Sequence, residues 1–157
     1  IEYDGDLLYY DDHDCLSFRN RTWKKELDFS FEFDRQIHCV RGFVGILAHG
    51  GFGRAGFALF RRNRVVVGGE DFNYKPEEIF GQAQSTIAHK LFGELDLDDF
   101  PVNQAKDGFV WDDGLEEQFI KELKSKDIFV FKFSILNTTK FPLSRAVITF
   151  TLFFPKI

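Results

Sequence analysis

The 157-residue chain is 44% hydrophobic and 29% charged, which suits one domain with a sizeable core, and its 21 Phe make phenylalanine the main core material. Twenty Lys and Arg stand against 25 Asp and Glu. That net charge of −5 excludes a polyanion-binding surface over the whole molecule and leaves room only for a local basic patch.

Ile1–Asp14 carries six acids and no Lys or Arg, the reverse of a signal-peptide start. No apolar run reaches the roughly 18 residues of a membrane-spanning helix, so a cytoplasmic protein without a membrane partner is expected. The chain opens on Ile1 and contains no Met, which reads as a processed protein or a piece of a longer one. Cys15 and Cys39 have no CxxC spacing and read as reduced thiols rather than a disulfide framework. LDFSFEF (Leu27–Phe33) alternates strictly and predicts a strand with Leu27, Phe29, Phe31 and Phe33 toward the core. His38–His49 is more continuously apolar, as an inner strand would be, and ends in the glycine-rich loop Gly50–Gly53. Gly56–Phe60 and Arg64–Val67 predict a hairpin turning at Asn63, and the succession of strands suggests an antiparallel meander.

Lys75–Gly81 predicts a short helix or helical turn, with Pro76 at the first helical position, acids in the first turn and Gly81 just after it. Lys90–Leu97 returns to alternation, with Leu91, Gly93, Leu95 and Leu97 on one face. Phe100–Asp113, with Pro101, Asn103 and Gly108, reads as a loop. Gly114–Lys126 is the clearest helix, with Leu115, Phe119, Ile120 and Leu123 on one side, acids early and lysines late. Asp127–Leu136 and Arg145–Phe154 favour strands and predict a C-terminal β-hairpin. The sum is an α+β chain with one domain over residues 1–157, about six to eight strands and few helices.

Candidate chemistry is sparse. Gly51–Gly56 spells GxGxxG, but a strand rather than a helix is expected after it, so a glycine turn is the better reading. No GxxxxGK[ST] is present, and the four histidines lack metal-site spacing. Asp11-Asp12-His13-Asp14 reads as a solvated acidic loop, and no metal site is expected. Arg54, Arg61, Arg62 and Arg64 cluster within eleven positions, but strand alternation keeps them off a single face. An ordinary solvated turn is therefore the plainer reading, beside a basic hairpin tip that touches phosphate, as in nucleic acid, or an acidic partner. Lys106 is the more unusual residue: from Glu94 to Glu117 there are nine acids and this one base. A lone cation two residues after Gln104 has the makings of a contact to a terminal phosphate. By composition alone, a surface lysine paired with Asp107 is the plainer reading.

The blocks GFALFRRNRVVVGG (Gly56–Gly69), YKPEEIFGQAQS (Tyr74–Ser85), KLFGELDLDDFPVNQAKDGFVWDD (Lys90–Asp113) and LEEQFIKELK (Leu115–Lys124) resemble, in order, the second domain of GHKL-type ATPases. The likeness is to MORC-like and related bacterial ATP-binding proteins and runs from about Leu27 to Lys126. It implies a transducer domain, related to those of gyrase, MutL and the heat-shock chaperone. Such a domain has a mixed, largely antiparallel sheet with helices on one face and follows an ATP-binding domain. In the topoisomerase relatives a Gln-Thr-Lys loop sends its lysine to the ATP γ-phosphate, and here Gln104-Ala105-Lys106 matches at the first and third positions. The resemblance thus makes Lys106 and Gln104 the catalytic and nucleotide-contacting residues, while Ala105 lacks the Thr hydroxyl. ATP and magnesium would be held by the preceding domain, since this chain has no DxGxG loop and no acid-to-Asn helix of its own. No activity is expected from the chain alone. A nucleic-acid or protein client, and a homodimer of the longer protein, are compatible with the family. The rival expectation is a stand-alone β-rich module that binds nucleic acid or protein through the basic hairpin.

Overall fold

The computed structural model describes residues 2–3, 6–7, 17–18, 21–69 and 72–128. The alternation at Leu27–Phe33 belongs to β5 (Lys24–Phe33), in which Leu27 and Phe31 are buried and the intervening Asp28, Ser30 and Glu32 are exposed or half-buried. Its partner β6 (Gln36–Ile46) pairs with it antiparallel along its full length, from Phe33↔Gln36 to Lys24↔Gly45. Beyond these come β7 (Gly56–Arg61), β8 (Arg64–Val67) and β9 (Leu91–Asp96), giving a five-stranded sheet of order β5-β6-β9-β7-β8. Two-residue strands form two small antiparallel pairs before it, β1 (Glu2–Tyr3) with β2 (Asp6–Leu7) and β3 (Ser17–Phe18) with β4 (Arg21–Thr22). They bring the described strands to nine.

The meander expectation is corrected at one point. β7 does not pair with β6; β9 lies between them, antiparallel to β6 and parallel to β7. The reason is visible just past β6, where Leu47 N donates to Lys90 O at 2.9 Å, so the edge β7 would need is already taken by the chain entering β9. β9 fits there because it is apolar enough for a central strand and has Gly93 where a side chain would collide with β6. A Cβ on Gly93 would come within 2.4 Å of the Phe43 carbonyl oxygen. The β7–β8 hairpin turns as expected, with Arg62 and Asn63 both at positive φ (49° and 60°).

Three α-helices occur among the described residues. α1 (Glu77–Phe80) has Pro76 as its N-cap rather than as its first helical residue. α2 (Thr86–Lys90) falls in a stretch with no helical periodicity; its cap makes it, Ser85 Oγ accepting from Ala88 N at 3.1 Å and donating to Phe80 O at 2.6 Å. α3 (Leu115–Leu123) is shorter than the predicted helix and widens into a π turn over Lys124–Ile128. Asp127 and Ile128 belong to that turn, which corrects the strand predicted to begin at Asp127. The remainder of the predicted C-terminal hairpin lies outside the described residues.

All three helices cover one face of the sheet. Ile79, Phe80, Ala88, Leu115, Phe119, Ile120 and Leu123 share a single buried cluster with Leu27, Phe31, Val40, Val44, Phe57, Leu59, Leu91 and Leu95. Each fully buried Phe or Leu contributes about 1.5–3 kcal/mol of transfer free energy. The opposite face holds a smaller group, Leu47, Ala55 and Phe92 with Phe43 against them, and then turns polar. There Asp28, Arg41 and Asp96 stand side by side across three strands. Among the described residues no helix is long and apolar enough to cross a membrane.

Candidate functional site

Past β9 the chain stays in the core for a few residues before leaving it. Leu97 N donates to Phe60 O at 2.8 Å, and Phe100 buries its ring completely. That ring lies 4.8 Å from His38, 5.9 Å from Trp111 and 5.6 Å from Phe119, centroid to centroid. On the return side Trp111 stacks on Phe119 at 5.6 Å and on Tyr74 at 5.8 Å. Tyr74 OH donates to Glu116 Oε1 at 2.7 Å. Burial first, and this bond second, push the Tyr74 pKa well above its ordinary value, so the phenol stays a donor. The loop from Pro101 to Val110 is therefore rooted at both ends in one aromatic cluster.

Above that root the loop is a miniature hairpin. Val102 and Phe109 form an isolated antiparallel bridge, Val110 N bonds Pro101 O at 2.9 Å, and Asn103 N bonds Gly108 O at 3.0 Å. Asn103 then closes the tip. Its Nδ2 donates to Asp107 Oδ1 at 2.7 Å, its Oδ1 accepts from Asp107 N at 3.2 Å, and its carbonyl accepts from Lys106 N at 3.0 Å. Lys106 sits in the left-handed region at φ 60°, a strained choice for a side-chain-bearing residue, made where the turn requires it. Gln104, Ala105 and Lys106 are all exposed at the apex. Asp107 Oδ1 accepts from Asn103, and the Lys106–Asp107 ion pair suggested by composition is not formed. Among the described residues neither Lys106 Nζ nor the Gln104 amide has a hydrogen-bond or ion-pair partner.

The remaining candidates look less like sites. Gly51–Gly56 is a turn between β6 and β7 with a strand after it, so no helix N-terminus faces an incoming phosphate. At the basic hairpin, Arg62 N donates to Asp98 Oδ1 at 2.5 Å, which sets a carboxylate beside the arginines. Asp11–Asp14 and Cys15 lie outside the described residues. Cys39 is a free thiol, and hydrogen bonding to Asp99 pushes its pKa up, away from a reactive thiolate. Among the described residues no three His, Cys, Asp or Glu are placed to hold a metal ion. A depression of about 210 Å³ between β5 and the turn after α3 is lined by Lys25, Phe29 and Lys126 among others, and by neither Gln104 nor Lys106.

Sequence reasoning missed two features. His38 is buried with Nδ1 unpartnered, and as a single residue on an apolar strand it gave no signal. The Asn103–Asp107 clamp had one: Asn four residues before Asp across a Gly-containing turn is a spacing at which Asx side chains bond local backbone. No family model matches the chain, and no curated protein matches it.

Proposed function

We propose that this chain is the transducer domain of a GHKL-type ATPase and that its 101–109 loop delivers Lys106 to the γ-phosphate of ATP held by a preceding domain. One observation carries the reading. The two residues that the resemblance singles out, Gln104 and Lys106, share the exposed apex of a braced hairpin between the last sheet strand and α3. The α+β fold with helices on one face of a mixed sheet is compatible with it.

The donor set fits a phosphate and does not fit a magnesium ion. Lys106 offers three N–H donors on a cation and Gln104 an amide donor, whereas the nearby carboxylate of Asp107 already binds Asn103. In this reading Lys106 opposes the charge that builds on the terminal phosphoryl oxygens, and Gln104 fixes one of them by hydrogen bonding. Magnesium and the attacking water belong to the preceding domain. Because Phe100 and Trp111 root the hairpin against α3, a pull on the apex would be felt by that helix.

The test is Lys106→Ala in the longer protein that carries this chain behind its ATP-binding domain, with turnover and nucleotide affinity measured separately. A fall in turnover on the order of 10²–10³ with the fold intact supports the reading. Unchanged turnover overturns it. The chain alone is expected to hydrolyse no ATP and to bind it weakly or not at all; micromolar binding in calorimetry would contradict the division of labour.

A further inference from the structure

We propose that the end of the sheet away from Phe100, where the 47–55 loop meets the segments around Phe72 and His89, is a binding site for single-stranded nucleic acid. Three stretches far apart in sequence are knit together there by hydrogen bonds. Gly51 N bonds His89 O at 2.8 Å, and Asn73 Nδ2 reaches Gly53 O at 3.3 Å and Ala55 O at 3.1 Å. The Lys75 ammonium donates to the Phe52 carbonyl and lies 3.6 Å from the centre of the Phe52 ring. The Phe52 ring also lies 5.6 Å from His89.

The rim that results carries rings and cations together. Phe72 is 76% exposed and Phe52 42%, in a chain whose other phenylalanines of the sheet and helices are mostly covered. Arg54 is exposed between them in sequence, and Lys75, His89 and Lys90 are partly exposed. The charge is uneven: none of the chain's 25 acids lies between Arg35 and Gly69 or between Ile79 and Gly93, the stretches that supply Phe52, Arg54, His89 and Lys90. The stretch that supplies Phe72 and Lys75 is followed by the exposed Glu77 and Glu78. Glu70 and Asp71 precede Phe72 and lie outside the described residues.

Exposed rings beside cations suit a ligand that offers flat π faces and phosphates in alternation. A duplex hides its base faces in the stack, and an acidic protein would use the cations and leave the rings idle. Single-stranded nucleic acid uses both. The site is separate from the Lys106 loop and does not depend on the ATPase reading.

The experiment is fluorescence anisotropy on the full 157-residue chain, with a labelled oligothymidylate about 20 nucleotides long, longer than a typical site. It is run from about 50 to 200 mM salt, so that the slope of log affinity against log salt is read as well. Micromolar binding is expected. Phe72→Ala should lower affinity by about 5- to 150-fold, the range for one stacked base. Arg54→Glu should lower it and flatten the salt slope by about 0.7 for each phosphate that the protein no longer neutralises. Arg64→Glu, on the distant hairpin, should leave affinity unchanged, and thermal melts of each variant separate impaired binding from impaired folding. No binding at the lowest salt overturns the proposal. So does equal affinity for duplex of the same length with no effect of Phe72→Ala. Displacement of the oligonucleotide by polyglutamate with Phe72→Ala still silent would overturn it in favour of an acidic protein.

Discussion

The loops 101–109 and 47–55 leave opposite ends of the same sheet, and they are held still in different ways. The first is braced by its own residues: Asn103 clasps Asp107, and Phe100 and Phe109 plug its base into the aromatic cluster. The second has no side-chain clasp among the described residues: Gly51 O accepts from Arg54 N and Ala55 N within it, and the rest of its support comes from outside, from Asn73, Lys75 and the backbone of His89 and Lys90. A self-braced loop presents one apex residue at a fixed position, which suits a contact to a single phosphate. A loop stitched to its neighbours spreads several side chains along a rim, which suits an extended ligand.

Substitutions can break this contrast from either side. The largest effect is expected at the root of the first loop. Phe100→Ala removes a fully buried ring that touches His38, Trp111 and Phe119, and should cost about 3–5 kcal/mol in denaturant unfolding. Hydrogen exchange should then speed up across 101–110 and leave 47–55 as it was. Asn73→Ala removes two bonds to carbonyls of the second loop and should cost about 1–3 kcal/mol, with faster exchange confined to 51–55. Asn103→Ala unclasps an exposed turn and should cost only about 0.5–1.5 kcal/mol while freeing the apex. If exchange at the apex does not change, Lys106 is held by something other than the Asn103 clasp.

The smallest effect is a pH dependence at the Phe100 end. His38 lies between Phe31 and Phe100, and burial lowers its pKa below the ordinary 6.5, against the pull of Asp99. The unfolded chain therefore takes up this proton at a pH where the folded one does not, so stability falls as pH drops through and below 6.5. Asp96 acts in a lower window and in the opposite sense. Burial and the carboxylates of Asp98 and Glu94 raise its pKa from 3.8, so its contribution weakens as pH rises from there. Thermal melts from about pH 7 to 5 should show a midpoint falling with pH, and His38→Phe should flatten that fall. An unchanged slope in His38→Phe would mean that His38 is not the group responsible.

The same contrast explains what the sequence made legible. Alternation in Leu27–Phe33 and Lys90–Leu97 revealed β5 and β9 and the residues of each on the helix-covered face, but not that Phe92 is buried on the other face of β9. The helix at Leu115–Leu123 was readable from its apolar spacing and charge order. What stayed hidden depended on partners distant in the chain. Nothing in β9 itself announces that it lies between β6 and β7, since Leu47 must first take Lys90 O. α2 was missed because Ser85 and Phe80, not periodicity, hold it. Lys106 drew notice as the one base among nine acids and Gln104 through the family resemblance, both local features of the sequence, whereas the contacts of Phe52 with Lys75 and His89 join three segments far apart in the chain.

The central claim is that Lys106, held out on a self-braced hairpin, contacts the terminal phosphate of ATP bound by a preceding domain. The most direct measurement is single-turnover hydrolysis by the longer protein with Lys106→Ala, alongside nucleotide affinity measured without turnover. The account predicts a chemical step slowed on the order of 10²–10³ with affinity changed much less. A chemical step at the wild-type rate in a folded Lys106→Ala protein would contradict it.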